Sequence, residues 1–225
     1  MGNHTGVPLR KNMKYEPDRH RRRSIRLKGY DYSEAGAYFV TVCTQSRKCF
    51  FGNIVDEGMR LNEAGQMVHN IWNDLPVRYP DIETDEFVVM PNHVHGIIVI
   101  VGAGPCACPE SCIAQSQTGQ PQGVAPTGLS LPDVVHRFKS FTTAEYRNGV
   151  RLQHWPSFNG RLWQRNYYEH IIRSEDEMNR IRTYIIENPA KWAEDEDHPA
   201  NMDKRVKSPD KEERVRTFYE PVIIS

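Results

Sequence analysis

Three observations predict an α+β sandwich, an antiparallel β-sheet with helices packed on one face. Short runs rich in β-branched and aromatic residues alternate with longer segments of helical periodicity. The order of these segments, β-α-β-β-α-β-α, matches a ferredoxin-like sandwich. The length, 225 residues, suits one ordinary domain with tails.

The elements follow in order. The first 28 residues lack periodicity and read as a flexible arm. YFVTVCT (38–44) reads as the first strand. Across 61–78, Leu61, Ala64, Val68, Ile71, Trp72 and Leu75 recur at three- and four-residue spacing, as in an amphipathic helix. Asn62 is its candidate cap and Pro80 marks its exit. FVVM (87–90), a Pro91-Asn92 turn and HVHGIIVIV (93–101) form either one bent strand or a hairpin pair, and both readings stay open. Residues 102–129 are rich in Gly, Pro, Ala, Ser and Gln and read as an insertion or linker. That stretch carries Cys106, Cys108 and Cys112, half of a thiolate site without an evident fourth ligand.

Order resumes with Ser130 as a cap, Pro132 in the first turn, and Val134, Val135, Phe138 and Phe141 as the apolar stripe. LWQRNYYEHII (162–172) reads as a strand. Ser174 and Glu177 form a capping box for the last helix, and Pro189 ends it near Asn188. The expected organisation is an arm at 1–28, a domain at 29–192 interrupted by 102–129, and an acidic tail at 193–225.

Charge refines this division. The chain has 29 Lys+Arg and 29 Asp+Glu, a formal net charge of zero. Residues 1–28, however, hold nine basic and two acidic side chains, a net of +7 that suits a phosphate-binding arm. No apolar run reaches the roughly 20 residues of a membrane span. With no apolar leader and five cysteines, an odd number, a cytoplasmic protein without a disulfide scaffold is expected.

Two constellations could carry chemistry. His93 and His95 flank Val94 in an apolar strand, so both imidazoles point to one face. They are either half of a divalent-metal site or a hydrogen-bonded pair. Tyr184 and Asn188, four apart on the last helix, share a face. A tyrosine near a polarised phosphate can be a covalent nucleophile, and an amide oxygen one turn away can bind a hard cation. The plain alternative is a packed aromatic and a helix stop.

MPNHVHGIIVI (90–100), FKS (138–140), LWQRNYYEHIIR (162–173) and YIIENPAKW (184–192), taken in order, resemble the REP-associated tyrosine transposases of the single-tyrosine HUH superfamily. The resemblance runs from about Gly29 to Trp192, and the 102–129 insertion departs from it. It implies the HUH endonuclease fold, with His93, His95 and Asn188 as ligands of Mg²⁺ or Mn²⁺ and Tyr184 as nucleophile. The implied reaction is cleavage and rejoining of single-stranded DNA bearing REP-like palindromic hairpins, through a 5′-phosphotyrosine, by a monomer or homodimer. Tyr167 and Tyr168 are rival nucleophiles, ranked lower because neither precedes the xxxNP pattern. His170 is expected to be structural. Basic and aromatic groups suited to DNA are Arg21, Arg22 and Arg23 in the arm, with Arg137, Lys139, Arg161, Trp163 and Arg165. Two other readings compete: a non-catalytic hairpin-binding protein, and a metal-dependent phosphodiester hydrolase that activates water.

Overall fold

The structure, a computed structural model, describes residues 30–101 and 128–201. The chain divides into two units, Met1–Tyr30 and Asp31–Ser225, and every element below belongs to the second. The arm, nearly all of the 102–129 insertion with its three cysteines, and the tail beyond 201 lie outside the described residues.

Four strands form the main sheet: β1 (Gly36–Cys43), β4 (Ile82–Val89), β5 (His93–Ile100) and β6 (Tyr168–Ile172). Their order is β4-β5-β1-β6, and every neighbouring pair is antiparallel. This is the expected α+β architecture. The open question at 87–101 resolves as a hairpin: β4 and β5 pair on either side of Met90–Asn92, with Met90 N–H donating to His93 O at 2.8 Å. A second, two-stranded sheet, β2 (Gly52–Val55) with β3 (Gly58–Leu61), has no counterpart in the sequence expectation. Its two-residue turn holds Asp56 and Glu57 at φ of 50° and 60°. Positive φ at both positions closes such a hairpin, but the sequence lacks the Asn-Gly or Asp-Gly signature that usually announces it.

The helices start where the caps predict. Asn62 accepts from Gly65 N–H at 2.9 Å and opens α1 (Glu63–Asn73). The single helix expected over 61–78 is broken at Asp74, and a short α2 (Leu75–Arg78) carries Pro76 in its first turn. Proline lacks the amide that would continue the ladder. Ser130 and Asp133 close a reciprocal capping box on α3 (Leu131–Leu152). Ser174 accepts from Glu177 N–H at 3.2 Å and opens α4 (Glu175–Glu187). The strand expected at 162–172 is regular only over Tyr168–Ile172. Residues 162–167 instead run past the end of β1, where Thr44 and Trp163 form an isolated bridge. The Lys139 ammonium holds that loop through the carbonyls of Gln164, Arg165 and Asn166 at 3.2–3.4 Å.

The helices pack on the sheet as the α+β class requires, and they cover both of its faces. On one face, Tyr38, Val40, Val42, Val94 and Ile98 are buried against the α1 and α3 layer, where Trp72 meets Phe138 edge-on at 5.4 Å. On the other, Phe39 and Ile97 form a buried cluster with Ile181 and Ile185 of α4. An added helix after the βαββαβ unit covers the face that two-layer packing would leave wet. Each fully buried Ile contributes about 1.5–3 kcal/mol. Arg182 fixes the angle of α4 by bonding Asp85 at 2.8 and 2.7 Å, beside a bulge in β4 between Thr84 and Phe87. Among the described residues, no helix is long and apolar enough to cross a membrane.

Gly96 lets Trp72 lie against β5, since a Cβ there would collide with the indole ring. Gly96→Ala is expected to destabilise the fold by about 1–3 kcal/mol, the usual cost of overpacking. Chemical denaturation of the two proteins checks this, and an unchanged midpoint would contradict the packing described.

Candidate metal centre

The pleat of β5 sends His93, His95 and Ile97 to the α4 face and Val94, Gly96 and Ile98 to the other. The two imidazoles are 0% and 4% exposed, and their Nε2 atoms stand 2.9 Å apart. β1 supplies the neighbours across the ladder, with Cys43 opposite His93 and Thr41 opposite His95. The Thr41 hydroxyl lies 2.8 Å from His95 Nδ1, and the Phe39 ring stacks on His95 at 5.5 Å. His93 Nδ1 lies 2.8 Å from Asn92 Oδ1, and Trp192 packs 5.9 Å from its ring.

Burial drives both histidines below their ordinary pKa. For His95, the neighbouring His93 adds to the effect and carries it well below that value. For His93, Asp195 and Asp197 oppose the desolvation, but the shift is still downward. Both rings are therefore neutral at neutral pH, the form that ligates a metal.

Tyr184 and Asn188 come to the same place because Ile181 and Ile185 dock α4 on the sheet. The phenol oxygen lies 3.4 Å from His95 Nε2, across 89 residues of sequence. Its ring meets Phe39 edge-on at 6.0 Å. Burial, then the negative charges of Asp195 and Asp197, raise the Tyr184 pKa, against a lowering hydrogen bond from Asn188. Asn188 is 3% exposed, and its Oδ1 has no hydrogen-bond partner among the described residues. A buried amide oxygen without a partner costs about 1–3 kcal/mol, and a cation would satisfy it.

An acidic group beside the two histidines has no counterpart among the expected site residues. One ligand atom each from His93, His95 and Asp195 lie within 4.8 Å of one another, with Asp195 Oδ2 3.8 Å from His93 Nε2. Sequence reading assigned Asp195 to an acidic tail beginning at residue 193. Its only signal there was a run of four acidic residues, 194–197, close behind the helix stop. The segment returns to the sheet because Asp197 pairs with Arg47, accepts from the Cys43 thiol at 3.2 Å, and presents its carbonyl to Asn92. Two imidazole nitrogens with a carboxylate oxygen make a donor set that could hold a divalent cation.

The other expected site residues are scattered. Arg137, Arg161 and Arg165 are exposed. Arg137 stacks on Tyr79 at 5.0 Å, and Lys139 is engaged by the 164–166 loop. Trp163 is corrected: it is 4% exposed, packs on Phe51 at 5.1 Å and donates to Thr142 at 2.8 Å, so it offers no face for base stacking. Tyr168 packs against Phe39 on the histidine face, and Tyr167 lies under Lys139 at 5.1 Å. His170 bonds Glu177 in the first turn of α4 at 2.8 Å. Arg21, Arg22 and Arg23 lie outside the described residues.

No family model matches the chain. A Haemophilus influenzae protein, itself uncharacterised, is 41% identical over 185 residues, which cover 81% of this chain and 96% of that one. The chain belongs to the family of this protein. Among solved structures, the chain is similar to a REP-associated tyrosine transposase bound to a REP hairpin, with a TM-score of 0.47 and 18% identity. That match covers 74% of this chain and 73% of the other. It is also similar to a Deinococcus radiodurans chain provisionally described as a transposase, with a TM-score of 0.37 and 22% identity over 73% of this chain and 96% of that one.

The histidine pair predicts a pH dependence of stability. Both groups have pKa values below the unfolded value of about 6.5, so below that pH the unfolded chain binds more protons than the folded one. Stability is then lost as pH falls through 6.5 toward the lowered folded values. Denaturation at pH 8, 6.5 and 5 is expected to show this loss, with a shallower slope in a His93→Gln/His95→Gln variant. Equal slopes would count against buried neutral imidazoles.

Proposed function

We propose that this chain is a single-tyrosine HUH transposase or endonuclease that cleaves and rejoins single-stranded hairpin DNA through a 5′-phosphotyrosine. One observation carries the reading: the Tyr184 phenol stands 3.4 Å from His95 Nε2, the same atom that lies 2.9 Å from His93 Nε2. A packed aromatic and a helix stop would not require two buried histidines opposite them. The ordered motifs that resemble REP-associated tyrosine transposases name the same residues, with Tyr184 as nucleophile and His93, His95 and Asn188 as ligands.

Mg²⁺ or Mn²⁺ held by His93, His95 and the oxygens of Asn188 or Asp195 would neutralise charge on the phosphate and favour ionisation of the nearby phenol. The chain's own groups do the rest. The Tyr184 oxygen attacks phosphorus, and its O–P bond forms as the P–O3′ bond breaks. The phenol proton is lost and the departing 3′ oxygen takes one up, which leaves a free 3′-OH and a 5′-phosphotyrosine. A second 3′-OH then attacks that phosphorus and expels Tyr184, so one diester replaces another without an external energy source. Phe39 holds the phenol ring edge-on, and α4 positions it through Ile181 and Ile185.

The DNA partner follows from the resemblance: REP-like palindromic hairpins, approached by exposed Arg137, Arg161 and Arg165 and by Arg21–Arg23 of the arm. In this reading the protein works in the cytoplasm, without a membrane, as a monomer or homodimer.

The test incubates the protein with labelled single-stranded hairpin DNA and Mn²⁺ or Mg²⁺, followed by a denaturing gel. A metal-dependent covalent protein–DNA band is expected. Tyr184→Phe is expected to reduce it by about a thousand-fold or more, as loss of a nucleophile does. An adduct that survives in Tyr184→Phe would remove Tyr184 from the role. Cleavage to free 5′-phosphate ends without an adduct would indicate the hydrolase, and a retarded but uncut hairpin would indicate the binder.

A further inference from the structure

We infer that Asn92 is a positioning residue for this centre: it fixes the tautomer of His93 and, through the same amide, seats the turn that carries Asp195. The inference rests on the metal reading above only in its Mn²⁺-affinity measurement. Asn92 is 0% exposed and occupies the turn between β4 and β5. Its backbone carbonyl accepts from Thr44 N–H at 2.8 Å, so the residue is anchored before its side chain is considered.

The side-chain amide has two N–H groups, and both are used. One donates to Arg47 O at 3.0 Å and the other to Asp197 O at 2.7 Å. Two carbonyl acceptors fix which way the amide points, so Oδ1 is the atom that faces His93 Nδ1 at 2.8 Å. An amide oxygen has no proton to give. His93 must therefore carry its proton on Nδ1, which leaves the Nε2 lone pair turned toward His95 and Asp195. His95 differs, because its Nδ1 faces the Thr41 hydroxyl, a group that both donates and accepts. Thr41 by itself therefore accepts either tautomer of His95, but without a metal the His93 Nε2 lone pair 2.9 Å away accepts the proton of His95 Nε2–H.

The donation to Asp197 O has a second consequence. Asp197 N–H donates to Asp195 Oδ1 at 2.5 Å, and Arg47 and the Cys43 thiol hold the Asp197 carboxylate. The turn delivers Asp195 Oδ2 to 3.8 Å from His93 Nε2. Among the described residues, the Asn92 side chain bonds both His93 and this turn. Outer groups of this kind typically change metal affinity 10–100-fold when removed.

Two substitutions separate the roles. Asn92→Asp keeps an acceptor for His93 Nδ1–H but loses the donors to Arg47 O and Asp197 O. Asn92→Leu loses both. ¹⁵N NMR of histidine-labelled protein without metal is expected to show His93 as the Nδ1–H tautomer in the wild type and in Asn92→Asp, and to show its loss in Asn92→Leu. Hydrogen exchange at residues 195–198 is expected to quicken at least about ten-fold in both variants. Mn²⁺ affinity, read by titration calorimetry, is expected to fall 10–100-fold in Asn92→Leu. A wild-type His93 protonated on Nε2, or an unchanged tautomer in folded Asn92→Leu, overturns the inference; the wild-type spectrum decides even where a variant fails to fold. No Mn²⁺ binding by the wild-type protein would instead overturn the metal reading, while the metal-free spectrum still decides the role of Asn92.

Discussion

The alternation of β5 is the constraint on which the rest of the molecule depends. This strand has buried residues on both faces, so each of its side chains is committed to one of two cores. Val94, Gly96 and Ile98 build the layer beneath α1 and α3, and the absence of a side chain at Gly96 admits the Trp72 ring. His93, His95 and Ile97 build the layer beneath α4. A shift of register by one residue would turn both imidazoles into the aliphatic layer and bring Val94 beneath Tyr184. The apolar packing of one face therefore holds the chemistry of the other in place.

A second dependence runs through the end of the described chain. The turn at 195–197 returns to the sheet against Asn92, Arg47 and Cys43, three groups from two connections and the last residue of β1. It brings negative charge to a pocket whose histidines are neutral because they are buried. Burial raises the pKa of the Tyr184 phenol, that charge adds to the rise, and at His93 it opposes the lowering. A phenol beside carboxylates resists ionisation, and a site of this polarity favours the arrival of a cation. The electrostatics and the partnerless Asn188 oxygen thus point the same way.

The other face of α4 and the basic groups are organised differently. Arg182 is spent on Asp85 and Glu175, and Lys139 on three loop carbonyls, so these cations serve the fold. Arg137, Arg161 and Arg165 remain exposed. Charge counts alone could not make this distinction, because an arginine bonded within the fold and one facing solvent weigh equally in a sum of zero.

The sequence by itself determined the elements that rest on local physics. The caps at Asn62, Ser130 and Ser174, the stop before Pro189 and the period-2 pattern of β5 were legible because each is an interaction among residues a few positions apart. The pairing of His93 with His95 and of Tyr184 with Asn188 was legible for the same reason. The β2–β3 hairpin was missed because its turn lacks the usual residues, and the strand at 162–172 was overextended because apolar and aromatic composition does not tell a ladder from a loop held by Lys139. Tertiary structure alone decided that α4 lies on the opposite face from α1 and α3, that Trp163 is core, and that Asp195 reaches the histidines. Each of these depends on contacts between segments tens of residues apart, where burial and hydrogen bonding outweigh local preference, and no spacing within the sequence encodes them.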